Sequence, residues 1–142
     1  MIDWNAISAI GTIMASFVGI IGIWINLWDK KKRLSTNFEM YPPYKIFISN
    51  NSLRTVVITK MVCSINNHII YVERFSGLEE LRISPASIQS ITLSKGSILE
   101  SYEKLNMSAF CNSNEKINIT IHDNFGRKYK IKTDLTIGFF RE

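Results

Sequence analysis

The chain has 142 residues, 46% of them hydrophobic, with 17 basic against 12 acidic side chains. It is too short for two ordinary domains plus a linker, too apolar for a disordered chain, and its two cysteines are too few for a disulfide scaffold. Without Lys30, Lys31, Lys32, Arg33, Asp3 and Asp29, 13 basic and 10 acidic side chains remain, and that net charge of +3 does not call for duplex DNA as a partner.

These averages hide an asymmetry. Residues 1–28 contain 19 members of the hydrophobic set, whereas residues 29–142 contain 46 in 114 positions. Between Asp3 and Asp29 no residue is charged, which leaves 25 positions, or about 37 Å of helix, against a hydrocarbon core of about 30 Å. Trp4 at one end and Trp24 and Trp28 at the other match the interfacial aromatic belt. The pattern predicts a transmembrane helix over residues 4–28 within an anchor of residues 1–29. A cleaved signal peptide would need a basic stretch before the apolar run. Here the basic cluster Lys30, Lys31, Lys32 and Arg33 follows it instead. By the positive-inside rule this cluster stays in the cytosol, with the N-terminus outside the plasma (inner) membrane, and it also attracts anionic headgroups.

Steps of three and four residues from Asn5 reach Ser8, Thr12, Ala15, Gly19, Gly22 and Asn26, all small or polar. This 3.5-residue spacing is the seam of left-handed helix packing, and small residues let transmembrane backbones approach closely. Three readings are open: a homo-oligomeric seam, several helices around a water-filled path, or docking on a different membrane subunit. No charge lies within the span, so a path of this kind would lack a fixed-charge filter.

After a basic juxtamembrane linker over 30–37, residues 38–142 read as an all-β cytosolic domain. Lys45–Ser49 is a short strand, and Asn50-Asn51-Ser52 is a turn. Thr55–Ile65 is β-branched, and Asn66-Asn67 turns it into Ile69–Arg74. Ile88–Leu93 alternates as a strand. Ser97 and Glu100 have the spacing of a capping box, which predicts a short helix over 97–105. Lys116–His122 alternates strictly, with Ile117, Ile119 and Ile121 on one face. Asp123-Asn124-Phe125-Gly126 then turns the chain into Arg127–Thr133, with Tyr129 and Ile131 inward and Lys128, Lys130 and Lys132 outward. About seven short strands suit a small antiparallel β-sandwich or barrel with one short helix. The apolar tail Leu135–Phe140 is expected to add an edge strand or an interface.

The anchor, the basic stop, the strand leading into Asn50-Asn51-Ser52, the β-branched strand and the Asp123-Asn124-Phe125-Gly126 hairpin together resemble small bacterial and phage membrane proteins with an immunoglobulin-like cytosolic domain. The layout is also similar to membrane-anchored β-barrel effectors of antiphage signalling. That resemblance implies a role in antiviral defence, with a β domain that senses a nucleotide and helices that assemble and damage the membrane. Those effectors usually carry more than one span, and this chain has one. No residue is transferred as a site.

Catalytic motifs are absent from the sequence: no Gly-rich phosphate loop, no Gly-x-Ser-x-Gly, no His-Glu-x-x-His. His68 and His122 are too few and too far apart in sequence to suggest zinc, and no cofactor or metal is expected. Cys63 and Cys111 are expected to be reduced and packed. The candidate anion-binding group is the ladder Arg127, Lys128, Lys130 and Lys132, and a solvated sheet face is its plain alternative. The expected function is therefore non-enzymatic: a self-associating single-pass membrane protein whose β domain binds a cytosolic protein or a nucleotide. The alternative is an anchored scaffold or accessory subunit that docks a cytosolic protein.

Overall fold

A computed structural model describes residues 4–31, 33–109, 111–112 and 114–141. The chain divides into two units, residues 1–33 and 34–142. In the first, α1 (Trp4–Lys31) is a continuous 28-residue helix. Its stretch Trp4–Leu27 contains an 18-residue window with a mean hydropathy of 2.1 and is long and apolar enough to cross a membrane. The helix runs through Lys31, three residues past the expected end of the span. Within it, the Thr12 hydroxyl donates to the Ser8 carbonyl at 3.0 Å and the Ser16 hydroxyl to the Thr12 carbonyl at 2.9 Å. These polar groups are thus satisfied inside their own helix.

In the second unit, β1 (Leu34–Glu39), β2 (Lys45–Asn50) and β6 (Ile88–Thr92) form an antiparallel sheet in the order β1-β2-β6. The larger sheet runs β4 (His68–Arg74), β3 (Val56–Ile65), β7 (Asn118–Asp123), β8 (Lys128–Ile131). Along the first half of β3, β5 (Leu81–Ile83) takes the place that β4 occupies along the second. The inner faces of both sheets share one core, with Ile46 and Ile48 of β2, Ile58, Met61 and Cys63 of β3 and Ile119 and Ile121 of β7 all at 1% exposure or less. The domain is therefore an antiparallel two-sheet β fold with short helices.

Three expectations are corrected. The linker expected over 30–37 leaves only residues 32 and 33 between α1 and β1, because Leu34, Thr36 and Phe38 alternate inward and the whole segment pairs with β2. The short helix is α2 (Lys95–Lys104), and its cap is Ser94, whose hydroxyl accepts the Ser97 N–H; Ser97 and Glu100 form no capping box. The tail forms α3 (Ile137–Arg141) rather than an edge strand. Ile137 and Phe140 lie three apart, so one helical turn buries both, whereas a strand would send them to opposite faces.

One irregularity matters for the outer surface. Between Ile58 and Lys60 the β3–β7 register shifts by one residue: Ile58 pairs with Asp123 and Lys60 with His122. Such a bulge resets the side-chain alternation. Ile58 and Met61 both point into the core, and Lys60 turns outward.

Candidate functional site on the outer face of the larger sheet

The register of the four strands places residues in rows across the outer face. Arg74 of β4 pairs with Lys60 of β3, Lys60 with His122 of β7, and His122 with Lys128 of β8. Directly opposed residues have Cβ atoms about 5 Å apart, so this row sets three permanent cations beside one imidazole. The next row is Val72, Val62, Thr120 and Lys130. In the third, Ser64 pairs with Ile69 on one side and Asn118 on the other.

A concavity of about 530 Å³ opens over these rows. Its lining includes Lys60, His122, Lys128 and Lys130, and no lining residue is acidic. Among the described residues, Arg74, Lys60, Lys128 and Lys130 form no ion pair. His122 responds to this setting. Desolvation first, then Lys60 and Lys128, push its pKa below the ordinary value, and Asp123 opposes them only in part. A pKa below the ordinary value favours the uncharged imidazole at neutral pH.

No protein-family model matches the chain, and no curated protein matches it. Among solved structures, a crystal structure of a protein from Archaeoglobus fulgidus is similar over 72% of this chain and 96% of its own, at 12% identity and a TM-score of 0.27. A likeness that slight carries no argument about fold or function.

The structure splits the expected basic ladder. Lys128 and Lys130 line the concavity, while Arg127 and Lys132 do not. Arg127 lies against Tyr129, whose phenol is pushed up to about 12 by burial and by Asp123. Lys132 follows the end of β8 and makes no pairing there. Asp123 is 3% exposed and takes no part in the outer row. It accepts N–H groups of Phe125 at 2.9 Å and Arg127 at 2.8 Å, and the Tyr129 hydroxyl at 2.9 Å, which fixes the hairpin turn.

Lys60, His122 and Arg74 were not foreseen as members of one site. The hydrophobic alternation around Ile119 already signals that His122 points outward, but only the pairing of distant strands brings the three together.

The other candidates stand apart from this face. Lys30 and Lys31 continue α1, Lys32 lies outside the described residues, and Arg33 is buried. At Gly19 and Gly22 an added Cβ would meet nothing within 4 Å, and Ser8, Thr12, Ala15 and Asn26 are exposed along the same helix. Cys63 and Cys111 are buried, and burial, reinforced by Glu73, pushes the Cys63 thiol up to about 12. Burial and then Glu115 raise the Cys111 thiol as well, so neither cysteine supplies a reactive thiolate. Among the described residues no cluster of three or more His, Cys, Asp or Glu side chains could hold a metal ion.

Proposed function

We propose that this is a non-enzymatic, single-pass protein of the bacterial plasma membrane that self-associates through α1 and uses its cytosolic β domain to bind an anionic ligand. The observation that carries the binding part is the row of Arg74, Lys60, His122 and Lys128 beside a concavity with no acidic lining. Like charges placed directly opposite one another cost stability, and a bound anion removes that cost. The membrane part is supported by exposure: every side chain from Trp4 to Leu27 is exposed, and a surface so apolar needs lipid or another helix as cover. The cluster Lys30, Lys31, Lys32 and Arg33 supports placing the domain in the cytosol. The strand order β1-β2-β6 and β4-β3-β7-β8 supports the immunoglobulin-like reading of the domain.

Self-association is tested in the helix. In Gly19→Ile combined with Gly22→Ile, two branched side chains stand on the packing seam, and cross-linked dimer in membranes is expected to fall about tenfold relative to the parent. Equal cross-linking of the variant would remove the seam from the proposal while leaving ligand binding open.

A further inference from the structure

We propose that the concavity over β3, β7 and β8 is a binding site for a phosphate-bearing small molecule of nucleotide size, its phosphate held by Lys60, His122 and Lys128 and its uncharged end lying toward Ser64 and Asn118. This rests on the reading that the outer face binds an anion, and it names the ligand class. Three features support it. The volume of about 530 Å³ falls in the range of small-molecule sites. Charge is graded along the strands: the first row holds Lys60, His122 and Lys128, the second Lys130 beside Val62 and Thr120, and the third only neutral groups, Ser64, Ile69 and Asn118. Rows on one face are about 6.7 Å apart, so the gradient extends about 13 Å from the cationic end to the amide end. A ligand with charge at one end and hydrogen-bonding edges at the other matches that gradient, whereas an acidic peptide carries charge throughout.

Phosphate suits the cationic end. Its charge is spread over several acceptor oxygens, and two ammonium groups flanking an imidazole offer donors from three adjacent strands. The groups facing His122 are Lys60 from β3 and Lys128 from β8, with Asp123 next to it in β7; the Thr59 hydroxyl donates to the His122 carbonyl at 3.2 Å. A phosphate arriving there favours the protonated imidazole, so binding strengthens as the pH falls. A nucleic-acid strand is less suited, because it carries a charge at every nucleotide, whereas the third row, Ser64, Ile69 and Asn118, is neutral.

The test measures ATP binding to the full chain in phosphatidylcholine nanodiscs at pH 7.5 and pH 6, with inorganic phosphate and a polyglutamate peptide as competitors. ATP should bind saturably and more tightly at pH 6, and inorganic phosphate should compete weakly. Lys60→Ser with Lys128→Ser should weaken binding about tenfold or more. His122→Asn should abolish the gain at low pH, and Lys116→Ser, whose lysine pairs with Asp134 outside the concavity, should change nothing. Melting curves confirm that each variant is folded.

Saturable ATP binding that is unchanged in the double variant would overturn the site. If polyglutamate binds and ATP does not, the ligand class is wrong and the anion-binding face survives. If neither binds, both this inference and the binding part of the proposed function fail. In a parallel arm, phosphatidylglycerol nanodiscs that slow acetylation of Lys60 and Lys128 when ATP does not bind would assign the phosphate to lipid and overturn a soluble ligand.

Discussion

Asn50→Asp is expected to destabilise the β domain by about 3–5 kcal/mol, read as a fall in the denaturation midpoint of the full chain in detergent. Asn50 has no exposed surface, and it uses both ends of its amide. The amide nitrogen donates to the carbonyls of Ile83 and Arg54, each at 2.8 Å. The amide oxygen accepts the Ser52 N–H at 3.0 Å and the Ser52 hydroxyl at 2.7 Å. Its backbone also bonds to Ser87 and Ala86, so one residue ties the β2–β3 corner to the β5–β6 connection. A carboxylate of the same shape removes both donors and turns its lone pairs toward two carbonyls, with the Ile83 contact buried and the Arg54 contact partly buried. Acidification should recover part of the loss, because a protonated carboxyl donates to one of them. A variant as stable as the parent would mean that the corner is not held by this side chain.

Charge reversal of the outer row, Lys60→Glu with Lys128→Glu, is expected to lower affinity for ATP about 100-fold while the domain stays folded. At about 5 Å and the dielectric constant of water, one unit of charge is worth about 0.8 kcal/mol, so a change of four units gives about 3 kcal/mol. The same variant should change the pH dependence of stability. In the parent, the His122 pKa is lowered on folding. Its contribution is therefore fully present above the unfolded value of about 6.5 and is lost as the pH falls through the folded value. With two carboxylates beside it the imidazole pKa rises on folding, and its contribution is then present below about 6.5 and lost as the pH increases. The difference in melting temperature between variant and parent should thus grow in the variant's favour between pH 7.5 and pH 5.5. A constant difference would show that the row is too well screened to act as a unit.

Much of the fold was legible where local pattern and tertiary environment agree. The uncharged run from Trp4 to Trp28 marks α1, and Ile117, Ile119 and Ile121 are buried as their alternation indicates. The Asn66-Asn67 turn was also readable, since both residues adopt positive φ, 46° and 67°, as a tight hairpin requires. Ser35-Thr36-Asn37, placed in the linker expected over 30–37, misled because its polar composition loses to the six consecutive pairings of β1 with β2. Ile137 and Phe140 misled because an apolar tail of that length carries too few periods to separate a strand from a helical turn.

The candidate site was half visible for a comparable reason. Lys128 and Lys130 lie on one strand, and their shared face follows from spacing alone. Lys60 joins them only through pairing with a strand more than fifty residues away, and only because the bulge at Thr59 reverses its direction. Strict alternation from Ile58 would have sent that lysine into the core.

The most direct measurement is the acetylation rate of each lysine in the full chain, followed by mass spectrometry with and without saturating ATP. Protection of Lys60, Lys128 and Lys130, with Lys116 and Lys132 unchanged, is the predicted result. Uniform rates at all five lysines, with or without ATP, would contradict the assignment of the outer face as the ligand site.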